Sequence, residues 1–143
     1  MPAMKTKEFL ELLPDLLRQQ LPPDLAGFQV AHRITSLTKI YYDNPSFHYE
    51  VWIQKRRKEV ELGLHFESDP DSNLEQLDLL REKADAIHAS LGEKVEIHEW
   101  DRGWTRAHET LELDPLDDDF LVEISFRISA MIQTFEPILR GES

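Results

Sequence analysis

The spacing of apolar residues changes period several times along the chain, and each change marks an element. Over residues 7–21, Phe9, Leu10, Leu12, Leu13, Leu16, Leu17 and Leu21 recur at helical spacing and form a wide apolar face. Pro14 lies inside this stretch, lacks a backbone donor and is expected to kink or split the helix. The Pro22–Pro23 pair ends it. Residues 28–42 alternate as a strand, with Phe28, Val30, His32 and Ile34 on one face. The alternation blurs at Leu37 and recovers at Ile40 and Tyr42, which predicts a bulge near Ser36. Asp43-Asn44-Pro45-Ser46 reads as a turn.

Two clean period-2 runs follow. In residues 47–54, Phe47, Tyr49, Val51 and Ile53 face one way, and His48, Glu50, Trp52 and Gln54 the other. In residues 59–67, Val60, Leu62, Leu64 and Phe66 point inward while Glu59, Glu61, His65 and Glu67 point outward. The charged run Lys55–Lys58 between them is the tip of a hairpin. The outward charges predict a sheet face that is solvated or meets a partner. Ser72 and Glu75 have capping-box spacing and open a predicted helix over residues 73–91. Leu74, Leu77, Leu80, Ala84, Ile87 and Leu91 form its stripe, and Gly92 stands where a left-handed C-cap belongs. A second hairpin occupies residues 94–100 and 104–113 around Asp101-Arg102-Gly103, with Val95 and Ile97 inward and Glu109 out of pattern. After Pro115 comes a last helix over residues 118–135, built on Leu121, Ile124, Ile128, Met131, Ile132 and Phe135 and stopped or bent by Pro137.

The order is α-β-β-β-α-β-β-α. It predicts an α+β fold in which helices pack on one face of a twisted antiparallel sheet. One domain, 1–143, is the natural count for 143 residues, and such a chain holds a core without metal or disulfide.

Composition narrows the function. The chain has no cysteine, which removes disulfide scaffolds, thiol catalysis and zinc–cysteine sites. Its net charge is −12, and all of it falls in the second half: residues 1–67 sum to zero. This argues against nucleic acid as a direct partner on a broad basic face, and for attraction of cationic partners to the acidic half. No apolar run reaches a membrane span, and the N-terminus lacks a secretory signal, so the cytoplasm is the expected location.

The five glycines are isolated, so no phosphate-binding glycine loop can be written. There is no G-x-S-x-G either. Pro70-Asp71 with Glu75 has the look of a nuclease fragment, but the turn and helix cap account for the same residues. Asp114, Asp117, Asp118 and Asp119 lack calcium-loop spacing and suit a helix start. The six histidines form no helical metal pair. Strand parity turns His48, His65, His98 and His108 outward near Glu50, Glu61, Glu67 and Glu96. His65, His98, Glu67 and Glu96 are thus the candidate metal ligands, set against a reading as ordinary half-exposed strand residues with no cofactor.

The tryptophans stand out. Trp52 falls on the outer face of its strand, Trp100 and Trp104 flank the second turn, and Trp104 shares a face with Arg106 and His108. Aromatics on an uncovered sheet face meet something, either the first helix or a loop, or a partner. The second reading makes Trp52, Trp100, Trp104, Arg106, His48 and His108 a partner or dimer surface.

The order of elements in a small acidic chain resembles the type III secretion chaperones. The resemblance implies a homodimer that binds an extended segment of another protein and has no enzymatic activity. The stretch from Phe47 to Leu139 also resembles a bacterial domain of unknown function often found beside restriction and DNA-processing genes. FHYEVWIQ, EVELGLHF, the Trp100…Arg106 spacing after a glycine-ended helix, and RISAMIQTFEPIL carry that likeness. The sequence is thus read as a cytoplasmic, homodimeric, protein- or peptide-binding module without catalysis. The alternatives are a metal-dependent, nuclease-like or DNA-processing accessory protein, and a regulatory partner of a basic protein.

Overall fold

A computed structural model describes residues 3–142 and, within them, all side chains but those at 32–34. The helices are α1 (Thr6–Gln20), α2 (Pro70–Arg81), α3 (Ala84–Leu91) and α4 (Asp118–Leu139). The strands are β1 (Gln29–Ile34), β2 (Leu37–Tyr41), β3 (Phe47–Gln54), β4 (Glu59–Phe66), β5 (Glu96–Asp101) and β6 (Trp104–Glu112). They form one antiparallel sheet in the order β1-β2-β3-β4-β6-β5. The helices lie on one face of the sheet, so the chain is α+β, as the alternating periods imply.

The β3–β4 hairpin matches its sequence pattern residue for residue. Lys55–Lys58 turn the chain, with Arg57 N–H donating to the Gln54 carbonyl and Lys58 at φ 56°. Its inward residues Tyr49, Val51, Ile53, Val60, Leu62, Leu64 and Phe66 meet Ile124, Ile128, Met131, Ile132 and Phe135 of α4 in the core. Burying each such side chain contributes about 1.5–3 kcal/mol. α1 adds Phe9, Leu10, Leu13 and Leu17, and Phe9 packs on Phe120 at 5.9 Å between ring centroids.

Several expectations are corrected. The single strand over residues 28–42 is a hairpin of two, because Thr35 and Ser36 turn rather than bulge. The side chains of His32 and Ile34, expected beside Val30, lie outside the described residues. α1 runs unbroken through Pro14, which is buried against the core; packing outweighs one missing hydrogen bond. The helix over residues 73–91 is two, α2 and α3, with the chain bending at Glu82 and Lys83. The bend lets α2 face β5 and β6 while α3 lies on α4.

The helix also begins earlier than the Ser72–Glu75 spacing says. Asp69 is the N-cap and accepts from Ser72 N–H at 2.9 Å, with Pro70 in the first turn where its missing donor costs nothing. Gly92 ends α3 at φ 104° and ψ 160°, a positive-φ cap outside the left-handed helical well. α4 continues through Pro137 to Leu139, since the carbonyl left without a partner belongs to the exposed Gln133.

Glu109, which broke the sheet pattern, has its own explanation. It is 2% exposed and points into the helix layer, where Arg127 of α4 grips it. Arg127 Nε donates to Glu109 Oε1 at 2.8 Å, and its Nη2 reaches the Leu91 carbonyl at 3.2 Å. A pattern outlier is thus an interlayer ion pair.

Candidate functional site on the sheet face opposite the helices

Outward residues of β3, β4, β6 and β5 converge on the face that carries no helix. Parity places them there as expected, but the centre of the face is neither solvated nor half-exposed. His48 and His65 are each 1% exposed, and His108 is 6% exposed. Glu50 and Glu61 are buried with them. Side chains from neighbouring strands cover one another, and buried polar groups persist only when paired.

The network divides around Arg106. On one side, His48 and His65 stand opposite each other in the β3–β4 register, their rings stacked at 5.7 Å. His48 Nδ1 bonds the Pro45 carbonyl at 2.9 Å, and its Nε2 lies 2.7 Å from Glu50 Oε1. His65 Nδ1 lies 3.3 Å from Glu67 Oε2, and its Nε2 is 3.3 Å from Glu61 Oε2. Lys39 of β2 reaches Glu67 at 3.8 Å and Glu50 at 4.0 Å. Burial alone would lower the His65 pKa. The carboxylates of Glu61, Glu67 and Glu50 gathered around it outweigh that and hold it up at about 9. Burial likewise opposes ionisation of Glu61, but His65 and Arg106 prevail and keep its carboxyl below the usual range.

On the other side, His98 and His108 stack at 5.0 Å. Arg106 donates to His98 Nε2 at 3.3 Å and also bonds Glu61. Burial, then the Arg106 charge, pushes His108 down to about 4, and the same two causes lower His98. His65 on one side, and His98 and His108 on the other, are therefore driven in opposite directions by their neighbours.

Arg106 also lies over the Trp100 ring, 4.4 Å from its centroid. Trp100 is edge-on to His65 at 5.7 Å and 6.0 Å from Trp104. Of the three tryptophans only Trp100 is exposed, at 37%; Trp52 and Trp104 are half-buried by their sheet neighbours. His48 and His108 lie beneath this surface rather than on it. The expected metal ligands separate as well. His65 and Glu67 join His48 and Glu50, whereas Glu96 and His98 join His108.

Lys39 is the member of the network that sequence reasoning missed. A usable signal was present: His-x-Glu occurs at 48–50 and again at 65–67, on two strands whose register the hairpin tip sets.

Beside the network is an open concavity of about 1030 Å³. Trp52, Trp100, Arg106 and His108 line it together with Glu59 and Glu61. Lys5 and Lys7 at the start of α1, and Lys55, Arg56 and Arg57 at the hairpin tip, give it a basic rim. Asp71 and Glu75, the supposed nuclease fragment, are exposed on α2, on the helix side. No helix among the described residues is long and apolar enough to cross a membrane.

No protein-family model, curated protein or solved structure matches the chain.

Proposed function

We propose that this protein is a non-catalytic, chaperone-like binding module that holds an extended acidic segment of a partner protein in the concavity beside Trp100. The basic rim of that concavity carries the reading. In a chain of net charge −12, five cations gathered around two tryptophans reverse the local sign and favour a negative ligand. The backbone groups of β3, β4 and β6 are already paired in their ladders, so contact is through side chains. Carboxylates of the partner meet Lys and Arg, and its apolar groups meet indole. Glu59 and Glu61 in the lining disfavour an unbroken phosphate backbone and suit a mixed peptide. The floor also lacks the balance that acid–base work needs. Glu61 is held low and His108 lies at about 4, both away from neutrality.

The test is fluorescence anisotropy with a labelled dodecapeptide of alternating Glu and Leu, beside an oligothymidylate of the same length. The peptide is expected to bind, to shift tryptophan emission to the blue and to weaken as salt rises. Replacing Lys55, Arg56 and Arg57 by Gln is expected to abolish binding at unchanged Tm. Tighter binding of the oligonucleotide, or peptide binding that ignores salt and the triple substitution, overturns the reading.

The homodimer belongs to this proposal too. Val122 and Phe126, one turn apart on α4, are 39% and 60% exposed and favour the helix layer as the contact between copies. A monomeric mass in light scattering at every concentration overturns that part.

A further inference from the structure

The two His-x-Glu pairs of the β3–β4 hairpin form a donor set that the concavity does not use. Each strand offers an imidazole and, two residues on, a carboxylate on the same face. Antiparallel pairing sets His48 opposite His65 and brings Glu50 and Glu67 in from either side. One ligand atom from each of the four residues lies within 4.8 Å of the other three. An ion with bonds of about 2.0–2.2 Å holds tetrahedral donors about 3.3–3.6 Å apart, so the four side chains draw in to bind one.

The hydrogen bonding asks for a cation here. The Pro45 carbonyl takes the Nδ1 proton of His48 and directs Nε2 into the cluster. A neutral ring with that proton presents a lone pair to Glu50 Oε1, 2.7 Å away. Two acceptors that close require a shared proton or a metal ion between them. The His65 Nε2 is an independent sign. It is buried, aimed at Glu61 and Glu50 at 3.3 and 3.6 Å, and makes no hydrogen bond.

We propose that His48, Glu50, His65 and Glu67 bind a divalent first-row metal ion, with Zn²⁺ the best match to two imidazoles and two carboxylates. Four protein ligands leave no open position, so the ion clips β3 to β4 and does not activate water. The metal displaces the second ring proton of His65, and its other competitor is Lys39. Its ammonium neutralises the same two carboxylates and must swing away when the metal enters. Arg106 stays on Glu61.

The test uses the full chain, free of any affinity tag and stripped with chelator. It is titrated with ZnCl₂ against a chromophoric competitor, and with CoCl₂ in visible absorption. One ion per chain, a rise in Tm and the intense visible bands of four-coordinate cobalt are expected. Glu67→Gln and His48→Gln should each lower affinity by at least the ~10-fold that losing even an outer-shell partner costs. Lys39→Met should raise it. If His48→Gln does not fold, Glu67→Gln, on a partly exposed side chain, and Lys39→Met carry the test. Absence of saturable binding at one ion per chain overturns the proposal. So does binding that survives Glu67→Gln and is lost in His98→Gln, since the ion then belongs to the other imidazole pair.

Discussion

His48 and His65 face each other across the β3–β4 ladder with their ring planes 9° from parallel. Their stacking depends on how closely the backbones around them approach. Two residues before His65, Gly63 faces the same side, between Glu50 on β3 and His108 on β6. A Cβ there would stand 2.5 Å from the Cβ of His108 and 2.6 Å from the Ala107 carbonyl oxygen. Gly63→Ala is therefore expected to force β4 and β6 apart and to cost about 1–3 kcal/mol. Urea unfolding measures it; an unchanged midpoint would mean the ladder yields without strain.

Arg127→Met strands the carboxylate of Glu109 inside the helix layer. Losing one partner of a buried pair costs about 3–5 kcal/mol; the lower end applies here because Arg127 is partly exposed. Glu109→Met in the same chain should recover most of the loss, since two apolar side chains then fill the site. Equal destabilisation of the single and double variants would show that Arg127 acts through packing alone.

Acid should weaken the fold through His108. The unfolded chain takes up a proton near pH 6.5, whereas the folded chain refuses it until about pH 4. The stability this contributes is complete above pH 6.5 and is lost as pH falls toward 4. Burial first, then Arg106 and His98, oppose the charged ring, while Glu61 and Glu96 favour it. His108→Gln should flatten the fall in urea midpoint between pH 7 and pH 4.5. An identical slope in the variant would place the acid sensitivity elsewhere.

Asn73 ties α2 to two loops. Its Nδ2 donates to the carbonyls of Ser68 and Gly103, both at 2.9 Å, and its Oδ1 accepts from Ser68 N–H at 2.8 Å. Asn73→Ala leaves these backbone groups without their partner and is expected to cost about 1–3 kcal/mol. The Ser68 amide should exchange with solvent faster in the variant. Protection equal to wild type would mean that water replaces the side chain.

Local pattern carried much of the fold. The β3–β4 hairpin is legible because its two period-2 runs and charged tip are each decided by near neighbours. The breaks were less legible. Whether Thr35–Ser36 bulges or turns, and whether the helix over residues 73–91 bends at Lys83, depends on what packs beneath, and period alone does not report that. Pro14 does not split its helix and Pro137 does not stop its own for the same reason: each loses one hydrogen bond, and tertiary contacts or solvent absorb the loss. In the site, parity put the four imidazoles on one face, but Lys39 sits on a strand whose pattern was blurred.

By itself the sequence determined the periods, hence the α+β class, the inner and outer faces of the strands, and the placing of net charge in the second half. Tertiary structure decided which outward residues are buried and what each one meets. Arg106 reaches Glu61 across 45 residues of chain, because β6 and not β5 lies beside β4. That single adjacency covers the carboxylates, separates the two imidazole pairs and drives His65 and His108 in opposite directions. Burial and long-range charge are properties of the assembled sheet, and no local window of sequence contains them.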